Sequence, residues 1–372
     1  MFSRLLANDG MVGVDIGSSS IKVVRAEAAD EGIRISHIAM CPTPPDSIAE
    51  GVVVNVPEVA AAIQFAMRSA GIKASGAVAA VAGPGVVVRH VQVPKMTEQV
   101  LRKSLQFEAG KYISSSVEDS IVEFEILGDA EDGQMNVLLV AAPKAMVESR
   151  VSLLEQAGLD PLSIDIEAFA TVRALIEHNN DQSILQSTIA LLDIGASNTE
   201  INLVRKGNLE LTRTIPIAGV SLTNAIKNAE NCTEAEAEQR KCSLDLSELV
   251  ELPSGTTPNP GLKVLQPLVD ELLREIRRSV NFHQSQLPEG AAEAAVDRLV
   301  LTGGTAMLKG LLPYANSRLK MDVGIGNPAL GKLIDLSSDC QLNEEDIPFL
   351  TVALGLAIKE ISAAAHVPAA AA

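Results

Sequence analysis

Tryptophan is absent from the 372 residues, and only two tyrosines and seven phenylalanines are present. A core so poor in aromatics must be filled by Val, Ile, Leu and Ala, the material of helix-covered parallel or mixed sheets. Positive charge is also scarce: 30 Lys and Arg against 47 Asp and Glu leave a formal net charge of −17. That balance argues against a nucleic-acid or anionic-membrane surface, because phosphates are held by clustered basic side chains. Cys41, Cys232, Cys242 and Cys340 are far apart and form no CxxC pair. They read as small core residues in a reducing cytosol, not as a disulfide or zinc framework. Long apolar runs are missing too. The most apolar window, GAVAAVAGPGVVV from Gly76, is too short for a membrane span and is broken by Gly83, Pro84 and Gly85. The opening MFSRLLANDG meets Asp9 and Gly10 before any apolar stretch and does not read as a secretory signal. The expectation is a soluble, cytoplasmic chain with no nucleic-acid partner and no direct membrane insertion.

What the chain does have is a repeat. VGVDIGSSSIKVVRAE from Val12 and LLDIGASNTEINLVR from Leu191 align without a gap, placing Asp15 and Asp193 178 positions apart. Each reads as strand, tight turn, strand, with aliphatic residues flanking a Gly-Ser or Gly-Ala-Ser-Asn turn. A length of 372 residues exceeds what one compact core usually takes. Two lobes with like cores, an α/β fold built by internal duplication, follow. A stacked repeat array is excluded, since its period is only tens of residues.

Between the hairpins the pattern alternates. EVAAAIQFAMRSAGI reads as a helix stopped by Gly71, and VAAVAG and VVVRHVQVP as strands. TEQVLRKSLQFEAGKYI is a helix opened by Thr97, SIVEFEIL and NVLLVAAP are strands, and KAMVESRVSLLEQAGL is a helix ending at Gly158. Residues 86–160 therefore form a compact α+β unit inserted in the first lobe. The first lobe is expected over 9–85 and 161–187, the second over 188–342, a returning helix over 343–365 and a frayed tail over 366–372. In the second half, Thr233 and Glu236 have capping-box spacing, LPSGTTPNPG is a surface loop, and LVDELLREIRRSVNFHQ is strongly amphipathic. DRLVLTGGTAMLKGL reads as strand, double-glycine turn and helix.

Three turns can converge on a polyphosphate. After Asp15, the backbone N–H groups of Gly17, Ser18, Ser19 and Ser20 can meet a phosphate, with Lys22 adding a point charge. Gly195 to Thr199 can do the same after Asp193. The two aspartates would hold Mg²⁺, largely through its own waters. Gly303 and Gly304 lack Cβ atoms, so the chain can pass close to a sugar and α-phosphate. Either hairpin alone is an ordinary turn. All three turns together read as a nucleotide site.

DIGSSSxK, DIGxxxT and LTGGTA, in this order, resemble the two phosphate loops and adenosine loop of the actin, Hsp70 and sugar-kinase superfamily. The resemblance implies a two-lobed, ribonuclease H-like duplicated ATPase fold with ATP between the lobes. The inserted α+β unit is similar to that of the FtsA and PilM families. VPKMTEQVLRKSLQFEAGKYI, LLEQAGLDPLSIDIEAFA, TRTIPIAGVSLTNAI and IPFLTVALGLAIKEI resemble the PilM family of type IV pilus assembly proteins over nearly the whole chain.

Residue by residue, the resemblance puts Asp15, Gly17, Ser18, Ser19, Ser20 and Lys22 on the first phosphate loop. Asp193, Gly195, Ser197 and Thr199 fall on the second. Glu238 and Lys241 fall on a helix reaching the adenosine, and Gly303, Gly304 and Thr305 on the adenosine loop. Glu167 takes the place of the group that orients the attacking water; its plain alternative is an acid meeting a helix dipole. The plain alternative for Glu238 and Lys241 is an exposed i, i+3 pair. Ala196 stands where actin has a second acid, which weakens the case for rapid hydrolysis but not for binding. ATP would then act as a stabilising ligand.

The family implies a partner, the N-terminal cytoplasmic peptide of a PilN-type inner-membrane protein, held between the first lobe and the insert. It also implies a link to the pilus motor ATPases and leaves room for self-association. Val91, Val93, Leu101, Leu105 and Tyr112 are candidate walls of that groove, or simply the insert's own core. A small-molecule kinase would need a substrate-hydroxyl constellation that is not evident beyond Glu167. An FtsA-like anchor would need a C-terminal amphipathic helix, and a GspL-type secretion protein a transmembrane helix; ISAAAHVPAAAA offers neither.

Overall fold

The computed structural model describes residues 10–29, 32–112, 116–179, 181–251, 257–285, 295–331, 334–336, 340 and 344–361. The expected frayed tail and the first half of the loop at 252–261 lie outside them.

The first lobe is a sheet in the order β10 (Asp160–Ile166), β6 (Gly76–Val81), β1 (Met11–Ile16), β2 (Ser20–Ala29), β3 (Gly32–Pro42) and β16 (Ile334–Leu336). The second lobe runs β13 (Asn208–Ile215), β12 (Thr199–Arg205), β11 (Thr188–Ile194), β14 (Arg298–Thr302) and β15 (Val323–Ile325). Strand for strand, five of the six positions of the first sheet, β10 to β3, match the second. In both, an antiparallel meander of three strands is joined by two parallel ones. The central strands MVGVDI and GAVAAV are buried along their whole length, as strands covered on both faces must be.

Strand alternation sorts the two faces. Val12, Val14 and Ile16 pack with Val59 and Ile63 of α1 (Val56–Ser69). Met11 faces the other way, toward Val352 and Leu356 of the C-terminal helix and Ala170. Asp15 is on that second face. In the second lobe Leu192 and Ile194 meet the apolar stripe of the long helix Pro260–Ser285, including Leu272 and Ile276. Leu191 instead packs against Val172 and Ile176 of the first lobe. Asp193, two residues on from Leu191, thereby ends on the side facing the first lobe. Each fully buried aliphatic side chain in these stripes contributes about 2 kcal/mol over its exposed state.

The insert is a three-stranded sheet of β7 (Val87–Pro94), β9 (Gln134–Pro143) and β8 (Ser120–Asp129), carrying α2 (Glu98–Glu108). It is smaller than the sequence reading made it. The next helix, α3 (Lys144–Gln156), buries Leu153 and Leu154 in the first lobe's core with α1. The insert therefore ends near Pro143. β16 also departs from expectation: placed by the sequence reading in the second lobe, it pairs in parallel with β3 of the first. A minor hairpin, β4 (Ile48–Ala49) with β5 (Val52–Val53), precedes α1.

The remaining helices are α4 (Glu167–Val172), α5 (Gln182–Gln186), α6 (Gly219–Glu230), α7 (Glu234–Ser243), α8 (Glu248–Glu251), α9 (Pro260–Ser285), α10 (Leu311–Leu319) and α11 (Thr351–Ala357). α7 opens with the reciprocal Thr233–Glu236 cap that its sequence spacing implies. α11 returns to the first lobe and lies almost on the backbone of β1 and α4. A Cβ on Gly13 would come within 2.4 Å of Ala357 N, and one on Gly355 within 1.9 Å of Ala170 O.

Candidate functional site

The two hairpins are the same piece of geometry used twice. Gly17 N donates to Ser20 O at 3.2 Å in the first, and Gly195 N to Asn198 O at 3.0 Å in the second. The cross-strand partner of Asp15 is Lys22, and that of Asp193 is Glu200. One register position thus carries a cation in the first lobe and an acid in the second. Ser18, Ser19 and Ser197 are exposed, while Gly17, Ser20 and Gly195 are half-buried. Among the described residues no backbone carbonyl accepts from the N–H groups of Ser18, Ser19, Ala196 or Ser197. Both turns therefore present free donors, which suits an anion such as phosphate.

Beneath the turns is a set of charges, with Asp15, Lys22, Glu200 and Arg150 buried and Asp193 and Glu167 half-buried. Lys22 Nζ donates to Asp15 Oδ2 at 2.8 Å and lies 4.4 Å above the Phe349 ring. Burial would lower the lysine's pKa. The Asp15 charge and hydrogen bond, with smaller help from Asp193 and Glu167, outweigh this and raise it. Asp193 is pushed up to about 6 by burial and by the Asp15 carboxylate, with Lys22 pulling partly back. Glu167, at the first position of α4, rises well above the carboxylate range through burial and then through Asp15, Glu200 and Asp193. Glu200 rises to about 7 through burial and Asp193, although Asn202 and the Gly83 N–H act in the opposite direction. Four carboxylates from two lobes meet here against Lys22 and Arg150. A site so short of positive charge fits a divalent cation. Among the described residues no three His, Cys, Asp or Glu side chains form a metal cage, so Mg²⁺ would take Asp15 and Asp193 with its own waters.

The double-glycine turn closes the third side. Gly303 has φ +86°, and a Cβ there would come within 2.2 Å of Asp193 Oδ1. Only glycine serves at that position. A Cβ on Gly304 would meet the Phe349 ring at 2.6 Å. Thr305 Oγ1 donates to Gly195 O at 2.7 Å, which ties this turn to the second hairpin. Lys241 is not the exposed member of an i, i+3 pair. It is buried and donates to Glu238 Oε2 (2.6 Å), Thr223 Oγ1 (3.0 Å) and Gly219 O (3.3 Å), which anchors α7 to the start of α6. Burial opposes ionisation of Glu238, but hydrogen bonds from Lys241 and Thr223 prevail and hold its pKa down.

Two groups of expected residues are placed otherwise. Thr199 is fully buried and donates its hydroxyl to Ile217 O at 2.7 Å, so that hydroxyl braces the turn. Val91, Val93, Leu101 and Leu105, each 8 % exposed or less, form the insert's own core and offer a partner no surface, with half-buried Tyr112 packed against them. Three residues escaped the sequence reading. Glu200 alternates in its strand like a solvent-facing acid, Arg150 looks like an ordinary helix cation, and Phe349 is one ring in an apolar run.

The raised carboxylates make stability depend on pH. A group whose folded pKa exceeds its unfolded one stabilises the fold at low pH and loses that contribution as pH rises to the folded value. For Glu200 the window runs from its ordinary 4.5 to about 7. Melting temperature in wild-type protein should fall across that range. Glu200→Gln should flatten the fall and be more stable at pH 8, by on the order of 2 kcal/mol. Equal pH profiles for the two proteins would contradict the burial of this charge.

The chain and its fold have clear counterparts. The family model for type IV pilus assembly protein PilM matches residues 13–361. The cell division protein FtsA of Pseudomonas aeruginosa is 26% identical over 362 residues, covering 86% of this chain and 83% of that protein. FtsA of Bacillus subtilis is 23% identical over 364 residues, covering 86% and 79%. Among solved structures, a PilM–PilN type IV pilus biogenesis complex superposes with a TM-score of 0.80 at 25% identity, covering 94% of this chain and 98% of that one. MreB 5 of Spiroplasma citri bound to AMPPNP shares the fold, with a TM-score of 0.52, 11% identity and coverage of 97% and 98%. No described helix is long and apolar enough to cross a membrane. An actin-like fold, a full-length family match and the doubled hairpin motif agree: the chain belongs to the PilM family of type IV pilus assembly proteins.

Proposed function

We propose that this protein binds ATP with Mg²⁺ between its lobes and, in that state, holds the N-terminal cytoplasmic peptide of a PilN-type inner-membrane protein. The observation that carries the nucleotide half is the meeting of Asp15 and Asp193, each below a turn with free N–H donors. Gly17, Ser18, Ser19, Ser20, Gly195 and Ser197 would receive the phosphates, Lys22 would neutralise them, and Asp15 and Asp193 would hold the metal. Gly303, Gly304 and Thr305 would border the sugar, with Glu238 and Lys241 fixing α7 beside the base. Bound Mg²⁺ supplies charge neutralisation at the phosphates. Glu167 is the candidate to orient a water. Its raised pKa makes it a proton acceptor only above the usual carboxylate range, which suits slow turnover.

The partner half is supported by family membership and by likeness to a PilM solved with PilN. Because the insert's core residues are spoken for, the peptide must use its surface. Among the described residues, Val100 on α2 and Ile121, Ile126 and Leu127 on β8 are the exposed large apolar side chains there. The role is a link at the cytoplasmic face of the inner membrane, between its alignment complex and the pilus motor ATPases, with self-association as a further property. A pull-down with the synthetic N-terminal peptide of a co-encoded bitopic membrane protein tests this. Capture that strengthens with ATP and Mg²⁺ is expected. No capture in either condition would remove the partner assignment while leaving the fold as it is.

A further inference from the structure

Arg150 is a buried cation with an unmade bond. It lies on α3, which starts directly after the last insert strand ends at Pro143. Its side chain reaches the carboxyl end of β6, where Nε donates to Ala80 O at 3.2 Å. The residue is 3 % exposed, yet Nη1 is buried and has no hydrogen-bond partner among the described residues. Glu167 and then Asp15 act on it through charge alone, without a hydrogen bond. A guanidinium offers five donors in a fixed fork, and leaving one unused in the interior is expensive.

We infer that Arg150 is an anion-binding residue of the site, and that its ligand is the terminal phosphate of a nucleoside triphosphate. The assignment rests on the nucleotide reading above. The guanidinium fork matches the paired oxygens of a phosphate, and the charged groups acting on it are the carboxylates of Glu167 and Asp15. Ala80, whose carbonyl Arg150 holds, is level with Asp165 on β10, two residues before Glu167, the candidate to orient a water. This places Arg150 toward the terminal end of the phosphate chain and not at the sugar end. A diphosphate leaves this end empty. Arg150 therefore sets the preference for ATP over ADP, and it does so from the helix that issues from the insert.

Calorimetric titration of the full chain with ATP, AMPPNP and ADP, each with Mg²⁺, tests the assignment. Arg150→Met, which keeps much of the apolar stem, should lose about tenfold or more in affinity for ATP and AMPPNP. Its affinity for ADP should stay within about twofold. If the methionine variant does not fold, Arg150→Gln provides the same comparison with one donor kept and the charge removed. An unchanged ratio of ATP to ADP affinity in a folded variant, or an equal fall in both, would overturn the role of Arg150 and leave nucleotide binding intact. Wild-type protein that takes up none of the three ligands would overturn the nucleotide reading and, with it, this assignment.

Discussion

A chain carrying Asp15→Ala is expected to melt at the same temperature with and without ATP and Mg²⁺. In the wild type a ligand at a hundred times its Kd stabilises the folded state by about 2.7 kcal/mol. The substitution removes this in two ways. It deletes one of the two carboxylates placed for the metal, and it strips Lys22 of the partner that holds its ammonium at 2.8 Å. Both members of that pair are nearly buried, so the variant should also start less stable, by about 3 kcal/mol, because a buried charge loses its hydrogen-bonded partner. The informative quantity is the ligand-induced shift, not the starting point. Asp15→Asn separates the effects further, since the amide keeps a hydrogen-bond acceptor for Lys22 but loses the negative charge the metal needs. A ligand-induced shift that persists at full size in both variants would mean that Asp15 has no part in nucleotide binding.

Gly355→Ala should be the most damaging single methyl in the protein. A Cβ at this position would lie 1.9 Å from Ala170 O and 2.5 Å from its carbonyl carbon. Both are backbone atoms of α4, so no side chain can rotate aside. Accommodation requires α11 to lift from α4, and that would disturb Arg173, whose Nη1 donates to Gly355 O at 2.8 Å. The same guanidinium pairs with the buried Asp165, which Lys359 also reaches at 3.3 Å. Overpacking by one methylene ordinarily costs 1–3 kcal/mol where side chains can yield; here the loss should be about 4 kcal/mol or more. Reduced soluble yield and a melting point lower by roughly 5 °C are the expected signs. Normal melting behaviour would show that the two helices can separate at little cost.

Much of this arrangement could be read from residue order. Asp at the end of an aliphatic strand before Gly and small polar residues has a local cause, turn chemistry, so both hairpins and the double-glycine turn were visible. The 178-residue offset then implied twin sheets. What could not be read depended on three-dimensional neighbours. Glu200 and Asn202 occupy alternate positions of a strand that is buried on both faces, and an alternating polar pattern ordinarily signals solvent. Val91, Val93, Leu101 and Leu105 showed only that they were apolar, which does not distinguish a groove wall from a core. The division between insert and first lobe was misjudged because α3 follows β9 without a break, and only packing against α1 reveals which body it belongs to.

The position of α11 also bears on how the protein is made. The second lobe is drawn almost entirely from one uninterrupted stretch, but the first lobe's sheet gains an edge from Ile334–Leu336 and one of its covering helices from Thr351–Ala357. A ribosome delivers those pieces after the whole of the second lobe. The half encoded first therefore stays incomplete, with one face of its sheet only partly covered, until the second has been made, while the half encoded second can close ahead of it. Truncation ahead of Ile334 should for that reason be far more harmful to the nascent chain than its distance from the two hairpins suggests.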